Sequence, residues 1–154
     1  MTEPGLKLGA LDAEDLAVLS THLQDAVLKV GDMTYRPAEQ RFAAVVNRFD
    51  WVHGASRKKG PFRRRRSGLS FERVTGVKLR NIRRGADDAV LNLLSMSFEE
   101  TDAPGGHIDL VFAGGGTVRL TVECIEARLS DLGPEWETQS RPAHDLEDQP
   151  DEAG

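Results

Sequence analysis

One cysteine in the chain, Cys124, leaves no internal disulfide to be formed. No apolar run approaches the roughly 18–20 residues that a membrane-spanning helix needs. Residues 1–9 lack the charged and apolar regions of a secretory signal. The expectation is therefore a protein of the cytoplasm with no membrane span. Chemistry is also thinly represented. No glycine-rich phosphate loop leads into Lys-Ser or Lys-Thr, no G-x-S-x-G elbow or H-E-x-x-H pair occurs, and His22, His53, His107 and His144 are scattered without ligand spacing. No catalytic residue, metal or cofactor is expected, and the protein is read as non-enzymatic. Nor is there an internal repeat.

With 154 residues, 39% hydrophobic and 29% charged, the chain has room for one domain with an apolar core. Its net charge of −5 conceals a segregation. Residues 1–56 sum to −3, residues 57–84 to +11, residues 85–134 to −7 and residues 135–154 to −6. The positive block contains RKKGPFRRRRSG, which sets seven Lys and Arg into the ten positions from Arg57 to Arg66. Such asymmetry suits contact with a polyanion, and it equally suits pairing with acidic neighbours inside the fold.

LDAEDLAVLSTHLQDAVL predicts a helix: Asp12 is placed to cap it, Glu14 and Asp15 suit the positive end of its dipole, and Leu16, Leu19 and Leu23 share one face. VLKVGDMTY predicts a strand ended by a turn at Pro37. RFAAVVNRFDW, apolar at both parities, predicts a strand covered on both faces for part of its length. Gly54, Gly60 and Pro61 make the basic run a loop leading into the strand of Leu69 and Phe71. GVKLRNI and AVLNLLSMSFEE follow as strands, the first with Val77 and Leu79 inward and Lys78 and Arg80 outward.

HIDLVFAGGGTVRLTV predicts a hairpin with Ile108 opposite Val122, Leu110 opposite Leu120 and Phe112 opposite Val118, residues 113–117 forming the loop. A closing helix is expected over residues 122–132, with Ile125, Leu129 and Leu132 on one face, Cys124 beside them as a small buried hydrophobe, and Gly133 and Pro134 as its stop. Trp136 is expected to fold back on the core. The expected fold is α+β and mostly β: a strongly bent antiparallel sheet or small partly open barrel of about seven strands, with an N-terminal helix and a C-terminal capping helix, in pleckstrin-homology-like order. Residues 1–9 are expected as a flexible leader, 10–136 as one domain and 137–154 as a disordered acidic tail.

The segments EDLAVLSTHLQDAVLKVGD, RFAAVVNRFDW and GTVRLTVECIEARLSDLG resemble a family of small alphaproteobacterial proteins, domain of unknown function 2948, over about residues 6–136. The resemblance implies a bacterial cytoplasmic protein. It carries no activity and no site residues onto this chain.

The basic stretch is thus the candidate site. Arginines entering a strand alternate faces, so a ridge of Arg57, Lys58, Lys59, Arg63, Arg64, Arg65, Arg66, Arg73, Lys78 and Arg80 is expected, with Phe62 or Trp51 available to stack on a base. Two readings stand. In one, the protein is a binding module whose ridge contacts nucleic acid or another phosphate-rich partner. In the other, it is a protein-interaction adaptor that binds no nucleic acid, its basic loop meeting an acidic protein surface, staying solvated or pairing internally. A further arrangement has the acidic tail lying over the ridge.

Overall fold

The computed structural model of the protein describes residues 5–49 and 64–132. Ten strands and one α-helix are formed there: β1 (Lys7–Ala10), α1 (Ala13–His22), β2 (Val27–Lys29), β3 (Met33–Arg36), β4 (Arg41–Phe49), β5 (Arg64–Phe71), β6 (Val74–Arg80), β7 (Val90–Glu100), β8 (Gly106–Phe112), β9 (Thr117–Val122) and β10 (Ala127–Asp131). All strand pairs are antiparallel, in the order β1-β10-β5-β4-β2-β7-β8-β9-β6, with β3 also on β4. The two end strands, β1 and β6, are not paired with each other, so the sheet is open.

α1 forms as its sequence requires. Asp12 is extended and accepts a hydrogen bond from the Asp15 N–H at 2.8 Å, satisfying one of the first-turn donors that a helix leaves unpaired. Leu16, Leu19 and Leu23 are buried and hold the helix against β7 and β1. The Ser20 hydroxyl accepts from the Met96 N–H at 2.9 Å and pins the helix to β7.

Two chain segments give the sheet its bend. β5 continues into β6 through only Glu72 and Arg73, and β9 reaches β10 through residues 123–126, yet β5 pairs with β10 and β6 with β9. The ladder survives the corner: the Glu72 N–H donates to the Glu126 carbonyl at 2.9 Å and the Glu123 N–H to that of Arg73 at 3.0 Å. Arg73 takes a left-handed backbone, φ 60°, to turn it. Leu69, Phe71 and Leu129 from one side of the corner and Leu110, Leu120 and Val122 from the other therefore share one apolar core.

Several expectations are corrected. Residues 122–132 hold the end of β9, a connection and β10, and no C-terminal helix is present among the described residues. Ile125 and Leu129, four apart, satisfy a helical period and a strand period alike; the burial of Ala127 and of the Asp131 side chain completes a period of two. With that helix gone, the pleckstrin-homology-like order is not matched; the sheet is antiparallel and not closed. The strand count among the described residues is ten, because β10 stands where the helix was expected, β1 arises in the expected leader, and VLKVGDMTY divides into β2 and β3 around a 3₁₀ turn at Val30–Asp32. The β8–β9 hairpin pairs Ile108 with Leu120 and Leu110 with Val118. This is two residues from the expected register, a slip that keeps every side chain on its face and so escapes the hydrophobic pattern. Its tight turn uses Gly114 and Gly115 at φ 88° and 94°. Cys124 lies half-buried in the β9–β10 connection. Arg64, Arg65 and Arg66 of the basic run, expected as loop, already belong to β5; residues 57–63, Trp51, Trp136 and residues 137–154 lie outside the described residues.

A buried ion pair locks the first half of the sheet. Arg48, 3% exposed, donates through Nε and Nη2 to the two Asp131 carboxylate oxygens at 2.9 and 2.8 Å. Ser67 Oγ donates to the same carboxylate at 2.6 Å and the Leu6 N–H at 2.9 Å. Burial alone would raise the Asp131 pKa, but the hydrogen bonds from Arg48, Ser67 and Leu6 and the arginine charge outweigh it and hold the carboxyl below its ordinary value. Removing the cation strands a buried carboxylate, so Arg48→Met is expected to cost about 3–5 kcal/mol by chemical denaturation. The stability that Asp131 contributes is present above its unfolded value of 3.8 and is lost as pH falls through the lower folded value. Thermal melts between about pH 2 and pH 7 should therefore show a steep acid limb that Asp131→Asn, although less stable at neutral pH, flattens.

Candidate functional site

Strand alternation decides which basic residues share a surface. On β5, Ser67, Leu69 and Phe71 are buried, so Arg64, Arg66, Gly68 and Ser70 occupy the opposite, outward face. By register, Arg66 lies beside Asn47 and Arg64 beside Phe49 on β4, while Gly68 and Ser70 lie beside Ser130 and Arg128 on β10. Lys7 of β1 pairs with Ser130. The outward face of β1-β10-β5-β4 thus carries Lys7, Arg128, Arg64 and Arg66, with Arg41 further along β4. The Arg64 guanidinium lies 4.1 Å from the Phe49 ring centroid and donates to the Asn47 carbonyl at 3.3 Å. Arg65 turns the other way: it is half-buried and sits opposite Arg48.

At the corner the cations are matched by carboxylates. Arg41 donates to Glu72 at 2.8 Å and pairs with Glu39 at 3.5 Å, and the hydrogen bond to Glu72 and its charge raise the arginine pKa further. Arg73 pairs with Glu126 at 3.5 Å. These residues, with Ser70 and Arg128, line a polar groove of about 340 Å³ whose charges largely cancel.

Lys78 and Arg80 lie beyond the corner, exposed on the end strand β6. With Asp109, Arg119, His107 and Thr117 they line a second groove of about 410 Å³. Of the ten residues expected to form one ridge, the structure brings Arg64 and Arg66 together, sets Arg65 on the reverse face, Arg73 at the corner and Lys78 with Arg80 past it. Arg57, Lys58, Lys59 and Arg63 lie outside the described residues. Lys7 and Arg128 join the face without having been expected there, because a leader and a helix stood in place of their strands; the alternation of Ala127, Leu129 and Asp131 is the signal that identifies β10. No cluster of three or more His, Cys, Asp or Glu suited to a metal ion occurs among the described residues.

The chain is a mostly β member of the α+β class, one helix on an open ten-stranded antiparallel sheet, with no helix among the described residues long and apolar enough to cross a membrane. It belongs to the family described as protein of unknown function (DUF2948), whose model matches residues 6–144. No curated protein and no solved structure matches the chain.

The stacking of Arg64 on Phe49 is a measurable local interaction. A double-mutant cycle of Phe49→Ala and Arg64→Ala should return a coupling of about 0.5–1 kcal/mol in chemical denaturation, the range for an exposed cation over a ring.

Proposed function

We propose that the protein is a non-enzymatic binding module that contacts single-stranded nucleic acid, or another phosphate-rich polymer, through the outward face of β1-β10-β5-β4 and the basic segment entering β5. The observation that carries this reading is the register that sets Arg64, Arg66, Arg128 and Lys7 on one face, contiguous in sequence with Arg57, Lys58, Lys59 and Arg63. Guanidinium groups remain charged and bind phosphate oxygens in pairs, so such a face suits a backbone of regularly spaced phosphates. Arg64 on Phe49 adds a flat cationic surface of the kind on which bases stack.

Fluorescence anisotropy with single-stranded RNA and DNA homopolymers tests the reading. Binding should weaken steeply with salt, and replacing Lys7, Arg64 and Arg128 by Gln should reduce the log–log salt slope by about 0.7 for each phosphate no longer neutralised. Salt-independent binding, or none at low salt, overturns it. The adaptor reading draws on the end strands β1 and β6, whose outer edges carry no further strand among the described residues and where an extended peptide can add one. Capture of one stoichiometric acidic protein, indifferent to nuclease, favours it instead.

A further inference from the structure

The groove on the far half of the sheet has a composition of its own. Its floor is the outward face of β6, β9 and β8, where the register aligns Lys78 with Arg119 and Arg119 with Asp109. Asp109 accepts from Arg119 Nε at 2.9 Å and from Nη2 at 3.0 Å. That bidentate pair fixes the plane of the guanidinium and uses two of its five N–H donors, leaving three for another acceptor. Lys78 and Arg80, two apart on β6, extend on the same side as Arg119, and neither has an ion-pair partner among the described residues. One carboxylate against three cations leaves the lining with two net positive charges. Glu99, opposite His107 on β7, adds its field to Arg119 without lining the groove.

His107 is half-buried in the lining, and its Nδ1, closed to solvent, has no hydrogen-bond partner among the described residues, so it is the rest of the ring that meets the groove. Thr117 and Thr121 add hydroxyls and Val111 one apolar wall, in a space of about 410 Å³, the size of a small-metabolite site.

We infer that this groove binds a small organic phosphate monoester, its dianionic phosphate held by Lys78, Arg80 and the unused donors of Arg119, with Asp109 as a positioning residue and His107 completing the polar lining. A phosphate monoester carries a charge of about −1.5 to −2 near neutral pH, which matches the net charge of the lining, whereas a monocarboxylate leaves one cation uncompensated. The site is independent of the polymer-binding face, which lies on the other side of the corner and uses none of these residues.

Titration of the full chain with ribose 5-phosphate, inorganic phosphate, ribose and succinate, followed by amide chemical shifts, tests the assignment. Ribose 5-phosphate and inorganic phosphate should bind saturably, with shifts confined to β6, β8 and β9, and ribose should give none. Lys78→Ala with Arg80→Ala, both exposed on an end strand, should weaken ribose 5-phosphate by about tenfold or more, and Arg64→Gln with Arg128→Gln should leave it unchanged. No saturable shift up to about 10 mM, equal affinity in the Lys78→Ala, Arg80→Ala variant, or equally tight succinate binding overturns the inference.

Discussion

The Asp131 carboxylate is the point through which the first half of the sheet is held in register. Its donors come from β4, from β5 and from the residue before β1, so one buried group joins three strands and the N-terminal edge. An ionised carboxylate is costly to bury, and the arrangement is tolerable because its oxygens are met by four N–H and O–H donors, two of them from a cation. A slip of one residue would turn Arg48 of β4, Ser67 of β5 or Asp131 itself on β10 to the outward face and break the pair. The pair therefore acts against alternative registers as well as for the native one, in strands whose outward faces are too polar to specify register themselves. Because β4 and β5 are the strands that the basic segment connects, the same group sets where that segment enters the fold.

The corner divides the basic residues. The β5–β6 and β9–β10 segments carry the ladder through a change of direction, so basic residues near one another in sequence, Arg64 and Arg66 against Lys78 and Arg80, are divided between two surfaces. One half presents arginines beside small and polar neighbours, Asn47, Ser70 and Ser130, a surface without shape that suits a repeating polymer. The other gathers fewer cations around one carboxylate and one histidine in a bounded volume, which suits a compact ligand. Between them the cations of the corner, Arg41 and Arg73, are occupied by Glu72, Glu39 and Glu126.

Much of this architecture is legible in the residues. Asp12 with its leucine stripe specifies α1, and Phe42, Ala44 and Val46 specify a strand one of whose faces is buried along its whole length. Alternation also identifies the inward set of β8 and β9, but it is blind to a slip of two residues, and the hairpin differs from expectation by that amount. The closing helix failed for a related reason: spacings of four belong to both periods, and the burial of Ala127 and of Asp131, the latter a polar residue where the pattern asks for an apolar one, separates them. Its role is invisible in the sequence because its partner Arg48 is 83 residues away. The separation of Lys78 and Arg80 from Arg64 and Arg66 cannot be read either, since a corner of two residues leaves no mark on the period. His107 and Asp109 look ordinary for the same kind of reason, their meaning arising only when β9 brings Arg119 alongside and β6 adds Lys78.

The pairing of β1 with β10 sets the order of assembly. Lys7 meets Ser130, so the edge that Asp131 seals joins residues as much as 125 positions apart in sequence. During synthesis β1 lacks this partner until β10 has left the ribosome. Contacts of such high sequence separation are those that slow folding, because the entropy of closing the intervening chain must be met before the contact rewards it.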